Sequence, residues 1–102
     1  MKLTPSWDAK VIQDGETATF TFRTPTNKEL SEFINDIMGT GKNVTGIREA
    51  FFDSLLTGVD NLDGLDKTPI TVKRTGEIPV NWKAMIVSRR FEIVTVKVSE
   101  KN

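Results

Sequence analysis

The sequence predicts an α+β fold: an N-terminal antiparallel β-hairpin packed with about three helices, with one or two short additional strands. Three observations predict it. Asp14-Gly15, a favoured dipeptide of two-residue type I′ turns, lies between two alternating segments. Three later segments carry apolar residues at helical spacing. At 102 residues, 37% hydrophobic and 27% charged, the chain suits one core and one domain.

The hairpin spans residues 7–23. Closing it on Asp14-Gly15 pairs Gln13 with Glu16, Val11 with Ala18, Ala9 with Phe20 and Trp7 with Phe22. Trp7, Ala9, Val11, Ala18, Phe20 and Phe22 then share one face. Asp8, Lys10, Thr17, Thr19, Thr21 and Arg23 take the other, with Ile12 the single misfit. A slip of one residue would mix the sets, so turn and pattern specify the same register. Trp7 opposite Phe22 reads as a cross-strand pair closing the core, and alternatively as an exposed anchor for a partner.

Thr24-Pro25 ends the second strand, because a residue before proline avoids helical angles. Thr26 and Glu29 have the spacing of a capping box and start a helix over residues 27–38. Leu30, Phe33, Ile34, Ile37 and Met38 give it one apolar side against the hairpin, and Gly39 and Gly41 stop it. A second helix, over residues 44–57, starts near Asn43 or Thr45 and ends before Gly58. Its Val44, Ile47, Phe51, Leu55 stripe is broadened by Phe52 and Leu56.

Residues 59–77 read as a connection holding one short strand, 70–74. Pro79 suits the first turn of a third helix, over residues 79–93. On a helical wheel Val80, Ala84, Val87, Phe91 and Val94 share one side, and Trp82, Met85, Ile86 and Ile93 roughly the other, with Arg89 among them. A helix apolar on two faces is either central to the core or shared with another chain. In residues 94–102, V-T-V-K-V reads either as an edge strand or as a tail.

Charge is balanced overall, with 14 Lys/Arg and 14 Asp/Glu, but unevenly placed. Residues 1–66 carry 6 Lys/Arg against 11 Asp/Glu, a balance of −5; residues 67–102 carry 8 against 3, a balance of +5. Either the halves pair in the fold or the subunit is dipolar and stacks head to tail. No run is long enough to span a bilayer, and MKLTPSWDAK has no apolar core of the signal-peptide kind. The expectation is a cytoplasmic protein without a membrane partner.

With no histidine and no cysteine, the common general base, metal ligand and thiol nucleophile are absent. Composition leaves a carboxylate-only hydrolase open, yet nothing in the pattern places two acids together in an apolar cleft. The expectation is a protein without catalysis, cofactor or metal. The acidic run VDNLDGLD fails as an EF-hand: counted from Asp60, ligand position 3 is Leu62 and position 12 is Thr71. Lys67, Lys73, Arg74, Lys83, Arg89 and Arg90, with Trp82, would serve a nucleic-acid site, but overall neutrality argues against one.

FTFRTPTNKELSEF (residues 20–33) resembles the start of small tail assembly chaperones of tailed bacteriophages and prophages. There a strand rich in Phe and Arg passes through a Pro-Thr step into a helix. LLTGVDNLDG (residues 55–64) resembles that group's helix end with its glycine and acidic turn. IPVNWKAMIVSRRFEI (residues 78–93) resembles its closing helix. The three segments cover about 40 of 102 residues, in order. The resemblance implies a non-enzymatic role in a bacterial host cell, holding a tape-measure or tail-tube subunit soluble before the tail polymerises.

Together these features lead to the expectation of a tail assembly factor that binds a phage tail protein, and itself as a homo-oligomer. The apolar surplus on the second and third helices marks Phe52, Leu56, Trp82, Ile86, Arg89 and Ile93 as its contact residues. The alternative is a structural subunit of a tail or neck ring, which the charge asymmetry favours because rings use heterologous contacts. A small nucleic-acid module comes third.

Overall fold

A computed structural model describes residues 4–39, 41 and 43–92. Strands β1 (Ser6–Gln13) and β2 (Glu16–Arg23) form the expected hairpin. Asp14 (φ 53°) and Gly15 (φ 79°) both occupy the left-handed region, as a type I′ turn requires. The register runs from Gln13 opposite Glu16 to Trp7 opposite Phe22, each pair as the alternation dictates. Ala18, Phe20 and Phe22 point into the core, and Ile12 is left 74% exposed.

Helix α1 (Asn27–Met38) opens on the capping box: the Glu29 amide donates to Thr26 Oγ1 at 3.1 Å, and the Thr26 amide to Glu29 Oε1 at 2.9 Å. Its inward stripe is narrower than its spacing suggests. Phe33 is buried, and Leu30 and Ile37 pack at the core's edge, while Ile34 and Met38 are exposed.

Helix α2 (Val44–Leu55) is capped by Asn43, whose Oδ1 accepts from the Gly46 amide at 3.1 Å. It ends two residues before the expected boundary at 57. Leu56 instead begins strand β3 (Leu56–Asp60), which pairs antiparallel with β2 and gives the sheet order β1-β2-β3. The second edge of β2 needs hydrogen-bond partners, and that tertiary demand outweighs the helical spacing of Leu55-Leu56. Thr21 faces Gly58 and Phe22 faces Leu56, so Thr57 is the extra residue of a β-bulge. Its hydroxyl donates to the Thr21 carbonyl at 3.1 Å.

The expected strand over 70–74 does not form. Asp63 and Pro69 make an isolated bridge, and Val72–Glu77 coil into 3₁₀ turns. Local side chains supply the partners a ladder would have given. Thr71 Oγ1 accepts from the Lys73 amide at 3.3 Å, and Arg74 donates to the Pro69 carbonyl at 3.0 Å and to Thr68 Oγ1 at 2.6 Å. Ile70 and Ile78, both buried, pin the two ends of this segment to the core.

Helix α3 (Val80–Val87) begins after Pro79, which sits at its cap, and continues as a wider π-helical turn, Ser88–Glu92. Residue 93 and the segment 94–102 lie outside the described residues. The wide turn sets the Phe91 ring against Trp7, Phe33 and Phe51, at 5.7, 6.2 and 5.2 Å between centroids. Glu92 accepts two bonds from Arg48 of α2, at 2.9 and 2.7 Å. Trp7 stacks on Phe22 at 4.3 Å, so it closes the core from the sheet side. All six phenylalanines and both tryptophans join one aromatic network, which fastens the helices to the inner face of the sheet.

Candidate protein-binding site

The five expected contact residues that are described do not make one surface. Phe52 is 0% exposed, wedged edge-on between the rings of Phe20 and Phe22. Leu56 is buried on β3 opposite Phe22, and Ile86 is buried on α3. Trp82 is half-buried with its edge to Phe20, 6.5 Å between centroids, beside a recess of about 200 Å³ near Val11 and Leu62. Arg89 is exposed, and Ile93 lies outside the described residues. The correction has one physical cause: the apolar surplus of α2 and α3 is spent on the core. Phe52, Leu55 and Leu56 meet the sheet, while Phe51 meets α1 and Phe91.

Lys83 shows how central α3 is. Its side chain is 0% exposed, and its ammonium lies 2.9 Å from Asp53 Oδ1 and 3.3 Å from Glu49 Oε2, both on α2. The same ammonium is 5.7 Å from the centre of the Phe52 ring. A charge this deep is tolerated only when paired, and Glu49 and Asp53, one turn apart, provide the pairing. The basic side chains are accordingly not one patch. Lys83 is enclosed, and Arg74 is tied to Asp66 and Glu77. The Arg90 guanidinium covers the Trp7 ring at 4.7 Å.

A groove of about 520 Å³ lies between α1 and α2. The two helices run as an antiparallel pair. Asp36 and Asn43 line the groove near the connecting loop, and Glu29 and Ser54 line its far end. Arg23 clamps that far end: its guanidinium donates to both Glu29 oxygens, at 2.8 and 2.6 Å, and to the Ser54 carbonyl at 3.3 Å. The Arg23 bonds, with help from the Thr26 amide, hold the Glu29 carboxyl down at about 2. Glu29 is therefore charged, and already neutralised, throughout the ordinary pH range.

The groove floor is apolar. Phe33 and Phe51 stack at 4.3 Å and 11°, and half-buried Ile47 extends the floor toward the loop. Glu32 and Asp36 stand exposed on the α1 rim, and neither has an ion pair among the described residues. The α2 wall is small and uncharged, with Gly46, Ala50 and Ser54, and among the described residues no lysine or arginine lines the groove. A signal for it was present in the sequence. Glu29, Glu32 and Asp36 fall at i, i+3 and i+7 of α1, and Gly46 and Ala50 at i and i+4 of α2. An amphipathic pattern assigns such flanks to solvent, so it does not disclose that two of them face each other.

Among the described residues no helix is long and apolar enough to cross a membrane. Compared with protein-family models, with curated proteins and with solved structures, the chain matches none.

Proposed function

We infer that this protein works by binding, without catalysis, and that its docking surface is the α1–α2 groove. The observation that carries this is the composition of an open groove: an apolar floor of nearly buried Phe33 and Phe51 with half-buried Ile47, beneath a rim whose two carboxylates have no ion pair among the described residues. It has no histidine or cysteine to do chemistry with, and its third carboxylate is tied to Arg23. The similarity of residues 20–33, 55–64 and 78–93 to tail assembly chaperones supports a finer proposal. In it the protein is a phage or prophage tail assembly factor, and the partner is a tape-measure or tail-tube subunit.

A ring subunit of the tail or neck is the second proposal, and it draws on the opposed charges of the two halves. Lys83 with Glu49 and Asp53, and Arg74 with Asp66, cancel part of that opposition inside the fold. This favours the chaperone role. Co-expression with a tape-measure segment tests it, using Ala50→Arg, a change at an exposed residue that fills the groove. Co-purification should be lost while the circular dichroism spectrum is kept. Retention of the partner by the Ala50→Arg protein would show that the groove is not the docking surface.

A further inference from the structure

We propose, building on the docking role given to the groove, that its occupant is an amphipathic α-helix of another protein, with Lys or Arg along the flanks of its apolar stripe. Both walls of the groove are helices, and they present side chains instead of unpaired backbone groups. An extended segment would find no edge to pair with there, so an occupant must bring its own backbone hydrogen bonds, as a helix does. The walls are 12 residues each, roughly 18 Å, which matches about three helical turns. Leu- or Met-sized side chains of such a helix reach Phe33, Ile47 and Phe51, and the small, exposed Ala50 leaves room for its backbone to come close.

The rim decides the charge of the flanks. Glu32 and Asp36 are exposed, with no lysine or arginine of the described residues lining the groove beside them, whereas the charge of Glu29 is already met by Arg23. Lys or Arg near Glu32 and Asp36 complements them; a phosphate backbone or an acidic helix is repelled. The described basic turn of a second copy is a poor occupant. Its exposed Arg89 and Arg90 follow Ile86 and Val87, which are buried in its own core.

The test uses two synthetic alanine-rich peptides of about 18 residues, with leucines at i, i+3, i+4 and i+7. One carries lysine flanks and its twin carries glutamate flanks. Fluorescence anisotropy with the full chain should show the lysine peptide binding at least about tenfold tighter, a preference that shrinks as salt is raised. Glu32→Lys combined with Asp36→Lys should erase the preference, and both sites are exposed, so the fold is kept. Equal binding of the twins, or an unchanged preference in the double variant, overturns the proposal. So does concentration-dependent dimerisation that Ala50→Arg abolishes, because a second copy is then the occupant. If the lysine peptide fails while Ala50→Arg still releases the tape-measure segment, the partner chemistry is wrong and the groove stands. If Ala50→Arg releases nothing, the groove itself is wrong.

Discussion

Replacing Lys83 separates two ways in which a buried lysine can hold a fold together. Lys83→Ala removes three methylenes at about 0.8 kcal/mol each, and the side chain is 0% exposed, so the full transfer cost applies. Adding a residual cavity beside Phe52 brings the loss to about 3 kcal/mol. Lys83→Met keeps the stem and deletes only the charge. The side chains of Glu49 and Asp53 are 40% and 36% exposed, so water can solvate them once the ammonium is gone. The charge is then worth only about 1 kcal/mol or less, far below the cost of stranding a fully buried partner. Urea denaturation followed by circular dichroism reads both variants. In thermal melts the alanine variant should fall by about 12 °C or more and the methionine variant by only a few degrees. Equal losses in the two would refute this reasoning, since the charge and not the stem would then be what holds α3. A loss below about 1 kcal/mol in Lys83→Ala would mean that α3 is not central to the core.

Three further outcomes follow from other parts of the fold. The Glu29 carboxyl is lowered from 4.5 to about 2, first by Arg23, so its stabilising effect is full above about 4.5 and is lost as pH falls toward 2. Glu29→Gln should flatten that part of the acid limb in pH-dependent melts; an unchanged limb would mean the Arg23 clamp is not formed in solution. Gly15→Ala should cost about 1 kcal/mol in urea melts, from φ 79° alone, because an added Cβ meets nothing within 4 Å. Arg74→Ala should leave the sheet amides protected but speed hydrogen exchange at Gly64 and Lys67, whose turn bonds lie within the loop that Arg74 braces. Global loss of protection would show the loop to be part of the core.

What could be read from the sequence was what neighbouring residues decide. Asp14-Gly15 and the alternation around it specify one hairpin register, and Thr26 with Glu29 specifies one helix start, so both appear as expected. Strand β3 was hidden because Leu56 continues the helical spacing of α2; its strand conformation depends on the open edge of β2, which lies 34 residues away at Phe22. The same non-locality misplaced the contact surface. A lysine inside α3 reads as solvent-facing, which leaves the helix seemingly apolar on two outer sides, and only the acids of α2 reveal that Lys83 points inward. The groove arises from two flanks that are polar when each helix is taken alone. No single-helix pattern could bring Glu32 and Ala50 to one site.

The groove's role as the docking surface is tested most directly by hydrogen–deuterium exchange of the full chain with and without a bound tape-measure segment. Protection should concentrate in residues 29–36 and 46–54, on both walls of the groove. Protection around Trp82 and Arg89, with the α1 and α2 walls unchanged, would contradict it and return the contact surface to α3.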